Sequence, residues 1–406
     1  MKYRAEIDGL RAIAVLPVIL FHAGFESFSG GYVGVDIFFV ISGYLITTII
    51  ISEMIEGEFR IINFYERRAR RILPALFFMM GLCILPAYFF MLPDPLENFG
   101  QSLVSTSLFS NNILLLITSS YWDLASEYKP LLHTWSLAVE EQYYIIFPIL
   151  MLAIWKLGKN IILLLFFLII IISLYFAHVE LDRDLAFYSL HTRAFELLLG
   201  ASMCSYFIGK PLKFSALSKN LLSFIGLVLI SISILFFDSE TLFPSFLTLI
   251  PVIGTCLIIY FTDKNSFIYK ILASKIMVSI GLVSYSAYLF HQPIISFLKI
   301  YSINLPSTYD YIFAIVLTFC LAWFSYRFIE SPFRNKERVS RKSIFLFSFI
   351  SIFSFSLAGL YINATGGIPD RLNENLGPLE KSKVLSQRAW AYKNDSFKKV
   401  DKLNIL

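Results

Sequence analysis

Charge is what this sequence is short of. Only 16% of its 406 residues are Asp, Glu, Lys or Arg, against about a quarter in ordinary soluble domains. Hydrophobic residues make up 57% and aromatic residues 17%. A water-soluble globule of this length has too little polar surface to cover that much apolar material. A disordered chain is excluded as well, because it needs low hydrophobicity and high net charge. Cysteine is also scarce. Cys83, Cys204, Cys256 and Cys320 lie apart in apolar stretches with no CxxC pair. They read as small core residues, neither a disulfide framework nor a metal site. A P-loop, a GxGxxG turn, HExxH and GxSxG are all missing. With them go the signatures of ATP hydrolysis, of a bound metal and of a soluble serine hydrolase. The net charge of +5 does not point to nucleic acid, since the basic residues sit between apolar runs.

Apolar runs are what the chain has in quantity. A run of about 18–20 residues spans a bilayer core. Such runs fall near 10–27, 33–53, 72–92, 135–155, 160–177, 194–208, 220–237, 246–262, 276–298, 309–329 and 343–362. The stretch 99–118 is apolar but carries Gln101, Ser102, Ser105, Thr106, Ser107, Ser110, Asn111 and Asn112. It is expected to be re-entrant or interfacial. With the N-terminus inside, 21 Lys and Arg fall on inner segments and 4 on outer ones, the bias that membrane insertion favours. The expectation is an all-α polytopic membrane protein of ten plus one transmembrane helices. The N-terminus is cytoplasmic and the C-terminus outside. Residues 1–335 form the main membrane domain and 336–362 a linking helix. Residues 363–406, richer in charge and Asn, form an outside linker or the start of a soluble domain.

Ionisable groups inside a span are expensive and suggest function by default. Arg11 and His22 are eleven residues apart, so they share a helix face about 16 Å apart along the axis. Asp36 opens the next run near the same end as His22, where it can orient or charge-pair with it. The alternative is that Arg11 reaches to the headgroups and His22 fills an interhelical hydrogen bond. The densest charge runs from Phe64 to Pro74 and includes Arg67, Arg68, Arg70 and Arg71. Four guanidiniums in five residues can grip phosphates or anchor the topology near anionic lipid. His133 and Glu140 share a face at the start of the fourth run, beside Glu141. Tyr285, Tyr288 and His291 lie inside the ninth, where Pro293 is expected to kink the helix. Glu330, with Arg327 and Arg334, reads as structural. His178, His191, Arg193 and Glu196 carry weak signals. A proton-coupled secondary transporter is the competing class, but no inverted repeat is visible.

Taken in order, these segments resemble the acyltransferase-3 family of integral-membrane O-acyltransferases. The resemblance runs from Glu6–Ala12 through the Arg11–His22 spacing, Gly34–Ile46, Phe64–Pro74, His133–Tyr144 and Ser284–His291. It covers roughly residues 5–335, which become the membrane acyltransferase domain. It implies a multi-pass protein of a bacterial cytoplasmic (inner) membrane. The implied donor is an acyl-CoA, usually acetyl-CoA, with no permanently bound cofactor. The implied acceptor is a hydroxyl of an envelope glycan such as lipopolysaccharide O-antigen or peptidoglycan. Arg11 and His22 are implied to be essential, with Asp36 beside them. Arg67, Arg68 and Arg71 are implied to serve the donor. His133, Glu140, Glu141, Tyr285, Tyr288 and His291 are expected as supporting or acceptor-side residues. Members with an eleventh span often continue into an SGNH-hydrolase-like domain. No Gly-Asp-Ser block appears here, and Asn394-Asp395-Ser396 is not a convincing substitute. A truncated chain, a separate extracytoplasmic SGNH-type transferase and direct acylation by the membrane domain all stay open.

Overall fold

In the computed structural model, residues 3–118, 126–204, 214–302 and 305–372 are described. Among them every regular element is a helix. The first three are α1 (Ala5–His22), α2 (Gly34–Ile55) and α3 (Ile61–Phe90). Then come α4 (Pro93–Ser107), α5 (Asn111–Thr118) and α6 (Thr134–Ile154). They are followed by α7 (Lys159–Val179), α8 (Arg183–Tyr188), α9 (Leu190–Ser202), α10 (Ala216–Phe236) and α11 (Leu249–Phe261). The last five are α12 (Phe267–Leu272), α13 (Lys275–Tyr301), α14 (Thr308–Ser325), α15 (Ser331–Arg334) and α16 (Arg341–Ala364). Each of the eleven expected runs holds one long or medium helix. Seven helical segments are long and apolar enough to cross a membrane by length and composition. The chain is an all-α, multi-pass membrane protein. The expected tail lies, from residue 373 on, outside the described residues.

Packing is inverted relative to a soluble bundle. Phe167, Ile171, Ile172 and Tyr175 on α7 face outward, as do Phe349, Phe353 and Leu357 on α16. Buried polar groups collect inside instead, where lipid cannot reach them. Helices α1 and α2 are the inner pair. Small residues let their neighbours approach closely. A Cβ added at Gly281 on α13 would lie 1.8 Å from the Asp8 carbonyl of α1. One added at Gly43 on α2 would meet the Leu197 carbonyl of α9 at the same distance. These contacts hold α13 and α9 against the pair that carries Arg11, His22 and Asp36.

Two elements differ from the sequence reading. Helix α3 starts at Ile61, eleven residues before the expected span at 72. Arginine is a good helix former, so the Arg cluster continues the helix instead of flanking it. Its four guanidiniums therefore point to different neighbours. The stretch 99–118 is a broken pair, α4 and α5, separated at Phe109, whose φ is 53°. Of its polar residues, Thr106 and Asn111 are buried against the start of α6. Asn111 Nδ2 donates to the Leu131 carbonyl at 2.9 Å and to Thr134 Oγ1 at 2.8 Å, and Thr106 and Thr134 hydroxyls are 2.9 Å apart. This network seats the turn that carries His133.

Candidate functional site

Among the described residues, two cavities share part of their lining. The inner one is lined by Arg11 of α1, Ser42 of α2, Arg68 and Arg71 of α3, Ser136, Glu140 and Tyr144 of α6, and Tyr285 and Tyr288 of α13. The second is lined by Arg11, Arg67, Arg70, Arg71, Arg334 and Lys336, with Ser284 and Tyr285. Arg11, Arg71, Ser284 and Tyr285 belong to both linings. The second cavity has six cations and no carboxylate in its wall, so it suits a polyanion.

Partners separate the arginines. Arg67 pairs with Glu53 at 2.9 Å, and Arg70 pairs with Glu66 at 2.9 Å and donates to the Phe333 carbonyl at 3.0 Å. Arg334 is held by Glu330 at 2.6 Å, and Arg11 by Asp8 at 3.1 Å. Neither Arg68 nor Arg71 has an ion pair among the described residues. The Arg68 guanidinium lies 5.9 Å and 5.8 Å from the ring centroids of Phe64 and Tyr144, and its Nε is buried without a partner. The free donors of the expected set are thus Arg68 and Arg71, while Arg67 is already engaged.

The α6 and α13 residues divide similarly. Glu140 faces the cavity opposite three arginines. Glu141, about 100° further round the helix, is absent from that lining, and its Oε1 is buried without a partner. Tyr285 donates to the Ile72 carbonyl at 2.9 Å, tying α13 to α3. Tyr144 and Ser42 are hydrogen-bonded across α6 and α2. Tyr288 and Ser136 hydroxyls are 2.7 Å apart, and Tyr288 also donates to the His133 carbonyl at 3.1 Å. Tyr288 therefore joins the inner cavity to the histidines. His22, His133 and His291 converge at the far end of α1 from Arg11. His22 and His291 rings are 5.0 Å apart, and His133 and His291 rings are 5.4 Å apart.

His22 is the last residue of α1, which stops before Gly24 at φ 77°. Its Nδ1 lies 2.8 Å from the Val18 carbonyl. A carbonyl only accepts, which assigns the ring proton to Nδ1 and leaves the Nε2 lone pair for chemistry.

Asp36 does not orient His22. It is fully buried and pairs with Arg193 of α9 at 2.9 Å. Arg193 also pairs with Glu196 at 2.8 Å. Its guanidinium sits 5.3 to 5.6 Å from the ring centroids of Phe39, Trp135, Phe187 and Phe243. The sequence signal was the i,i+3 spacing of Arg193 and Glu196, which is common on solvated helices and so says little alone. Breaking a buried pair by removing one partner costs about 3–5 kcal/mol. Arg193→Ala is therefore expected to lower the yield of monodisperse protein and its melting temperature. Asp36→Asn should be milder, because Glu196 still neutralises the guanidinium. A melting temperature for Arg193→Ala equal to that of the wild type would contradict a structural role. Arg334, read as structural, and Lys336 also line the second cavity. They lie more than 260 positions from Arg71, and only the fold brings α15 to α3.

A model of the acyltransferase domain, family acyltransferase-3, matches residues 4–327. The chain belongs to the acyltransferase-3 family. It is 35% identical over 352 residues to the "Peptidoglycan O-acetyltransferase OatA" of Listeria monocytogenes serovar 1/2a, covering 82% of this chain and 56% of that protein. It is 32% identical over 352 residues to the "O-acetyltransferase OatA" of Staphylococcus aureus strain NCTC 8325, covering 82% of this chain and 58% of that one. The chain thus spans little more than half the length of these relatives. No solved structure matches it. The resemblance seen in the sequence is confirmed at the level of the family. Among the described residues, no group of three or more His, Cys, Asp or Glu side chains is disposed to hold a metal ion, the histidine trio included.

Proposed function

We propose that this acyltransferase-3 chain moves an acetyl group from acetyl-CoA to a hydroxyl of a bacterial envelope polysaccharide, and that the polysaccharide is peptidoglycan. The carrying observation is that Arg11 and Arg71 line both cavities, so a polycation wall runs into an inner cavity whose Tyr288 packs against His133 and His291, and His291 against His22. The coenzyme's phosphates would lie against Arg71, Arg334 and Lys336, with Arg68 deeper in. The acyl arm would follow the inner cavity past Tyr285 to Tyr288. In the reaction the acceptor oxygen bonds to the thioester carbonyl carbon, its proton passes to His22 Nε2, and the C–S bond breaks. The coenzyme leaves as a thiolate and takes that proton. The membrane would be the cytoplasmic one, with the arginine end inside, as the Lys and Arg distribution favours.

The relative named for peptidoglycan favours that acceptor over O-antigen. Family membership favours a transferase over a proton-coupled transporter. The test is mass spectrometry of envelope glycans from cells with and without the gene. Ester-linked acetate on muramyl residues is expected only when the gene is present. Acetate on O-antigen alone would move the acceptor, and no change in any glycan ester would defeat the transferase reading.

A further inference from the structure

The inner cavity changes character along its length. On α2 its wall includes the stripe Val35, Phe38, Ser42 and Leu45, spaced three and four residues apart on one helix face. From Val35 to Leu45 that stripe runs about 15 Å. Ser42 is hydrogen-bonded to Tyr144, and the Arg68 guanidinium lies 5.8 Å from the Tyr144 ring centroid. The charged end of the cavity therefore begins at the level of Ser42. The opposite end is closed by Val35, Phe38, Leu137, Tyr288 and Leu289. Glu140 lies one turn along α6 from Ser136, toward Tyr144 and the arginines. The polar groups of the closed end are the Tyr288 and Ser136 hydroxyls, and these are bonded to each other at 2.7 Å. Such an end suits hydrocarbon and offers little to a charged group.

We infer that this apolar end is the acyl pocket of the donor site, and that Phe38 sets the length of acyl chain it accepts. This rests on the acetyl-transfer reading above. With the coenzyme's phosphates at the arginines, the thioester carbonyl comes to Tyr288 and the acyl tail lies against Val35, Leu137 and Phe38. Most of the pocket wall is fixed. Tyr288 donates to the His133 carbonyl at 3.1 Å, and its ring packs 5.4 Å from that of His133 and 5.3 Å from that of His291. Val35, Leu137 and Leu289 are buried in the core, and close-packed cores yield little. Phe38 is half-buried, and its ring stands edge-on to Tyr288 at 6.1 Å. It packs against the apolar core on either side, so its open surface is turned to the cavity and not to lipid. An apolar pocket of fixed size accepts the chain that fills it and rejects further methylenes that must overlap the wall. Phe38 is thus a specificity-determining residue that takes no part in proton transfer.

The test uses the purified full chain in nanodiscs. Bound radiolabelled acetyl-CoA is displaced by unlabelled acetyl-CoA or by butyryl-CoA, which gives a ratio of Kd values that needs no acceptor. The wild type is expected to bind butyryl-CoA about tenfold more weakly than acetyl-CoA, the order of discrimination an apolar pocket achieves on methylenes. Phe38→Ala should bring the ratio close to one, by tightening butyryl-CoA while acetyl-CoA changes little. A general loss of packing would weaken both thioesters together and leave the ratio where it was. Equal Kd values for the two thioesters in the wild type, or an unchanged ratio in Phe38→Ala, would overturn the acyl pocket. Should Phe38→Ala not yield monodisperse protein, the ratio for Phe38→Leu, which frees less room, decides in the same sense. Failure of the wild type to bind either thioester would overturn the acetyl-CoA reading itself.

Discussion

Replacing His22 by alanine is expected to bring acetyl transfer down to the detection limit with little loss of membrane protein. A positioned general base contributes typically 10²–10⁴-fold. His22 is the one histidine of the three that is only half-buried and sits at a helix end, where an entering hydroxyl can reach it. Its tautomer needs no carboxylate, because the Val18 carbonyl already holds Nδ1–H. Loss of Asp36 should therefore act on folding more than on chemistry. The readout is ester-linked acetate on the envelope glycan per unit of membrane protein. Near-normal acetylation by a stably inserted His22→Ala protein would take His22 out of the mechanism and leave His133 or His291 as the base.

The second large effect is expected at the donor end. Replacing Arg68 and Arg71 together with glutamine should weaken acetyl-CoA binding by roughly a hundredfold. A hydrogen bond to a charged group is worth about 1.5–3 kcal/mol, or roughly tenfold or more for each guanidinium. Arg67→Gln should cost less, since Glu53 already occupies that side chain at 2.9 Å. The two effects separate phosphate binding from a topology anchor, because an anchor depends on the number of positive charges near the lipid and not on which arginine is lost. Equilibrium binding of radiolabelled acetyl-CoA to the purified variants checks this. Equal small losses for Arg67 and for the Arg68–Arg71 pair would return the cluster to its anchoring role.

Much of the fold was legible because hydropathy is a local property. Eleven apolar runs became helices, and His22 lies at the end of α1. The short run near 194–208 became the 13-residue α9. Where the reading missed, the cause was specific. A hydropathy window sees where α3 turns apolar but not where its hydrogen bonds begin, so the eleven residues before 72, five of them charged, were taken as a flank. The break at Phe109 depends on a single left-handed residue, which composition does not reveal. Asp36 was assigned to His22 because it is near in sequence, yet the fold gives it Arg193, 157 positions away.

The sequence by itself determined the membrane class, the helices, the Arg11–His22 face and the family. All of these follow from periodicity, local composition and ordered motifs. The tertiary structure alone decided which charges are spent on each other. Glu53, Glu66 and Glu330 engage Arg67, Arg70 and Arg334, while Arg68 and Arg71 have no ion pair among the described residues. It also placed His133 and His291 beside His22. The physical reason is that a buried ion or imidazole must find its partner in space, and helix packing sets that neighbourhood whatever the distance along the chain.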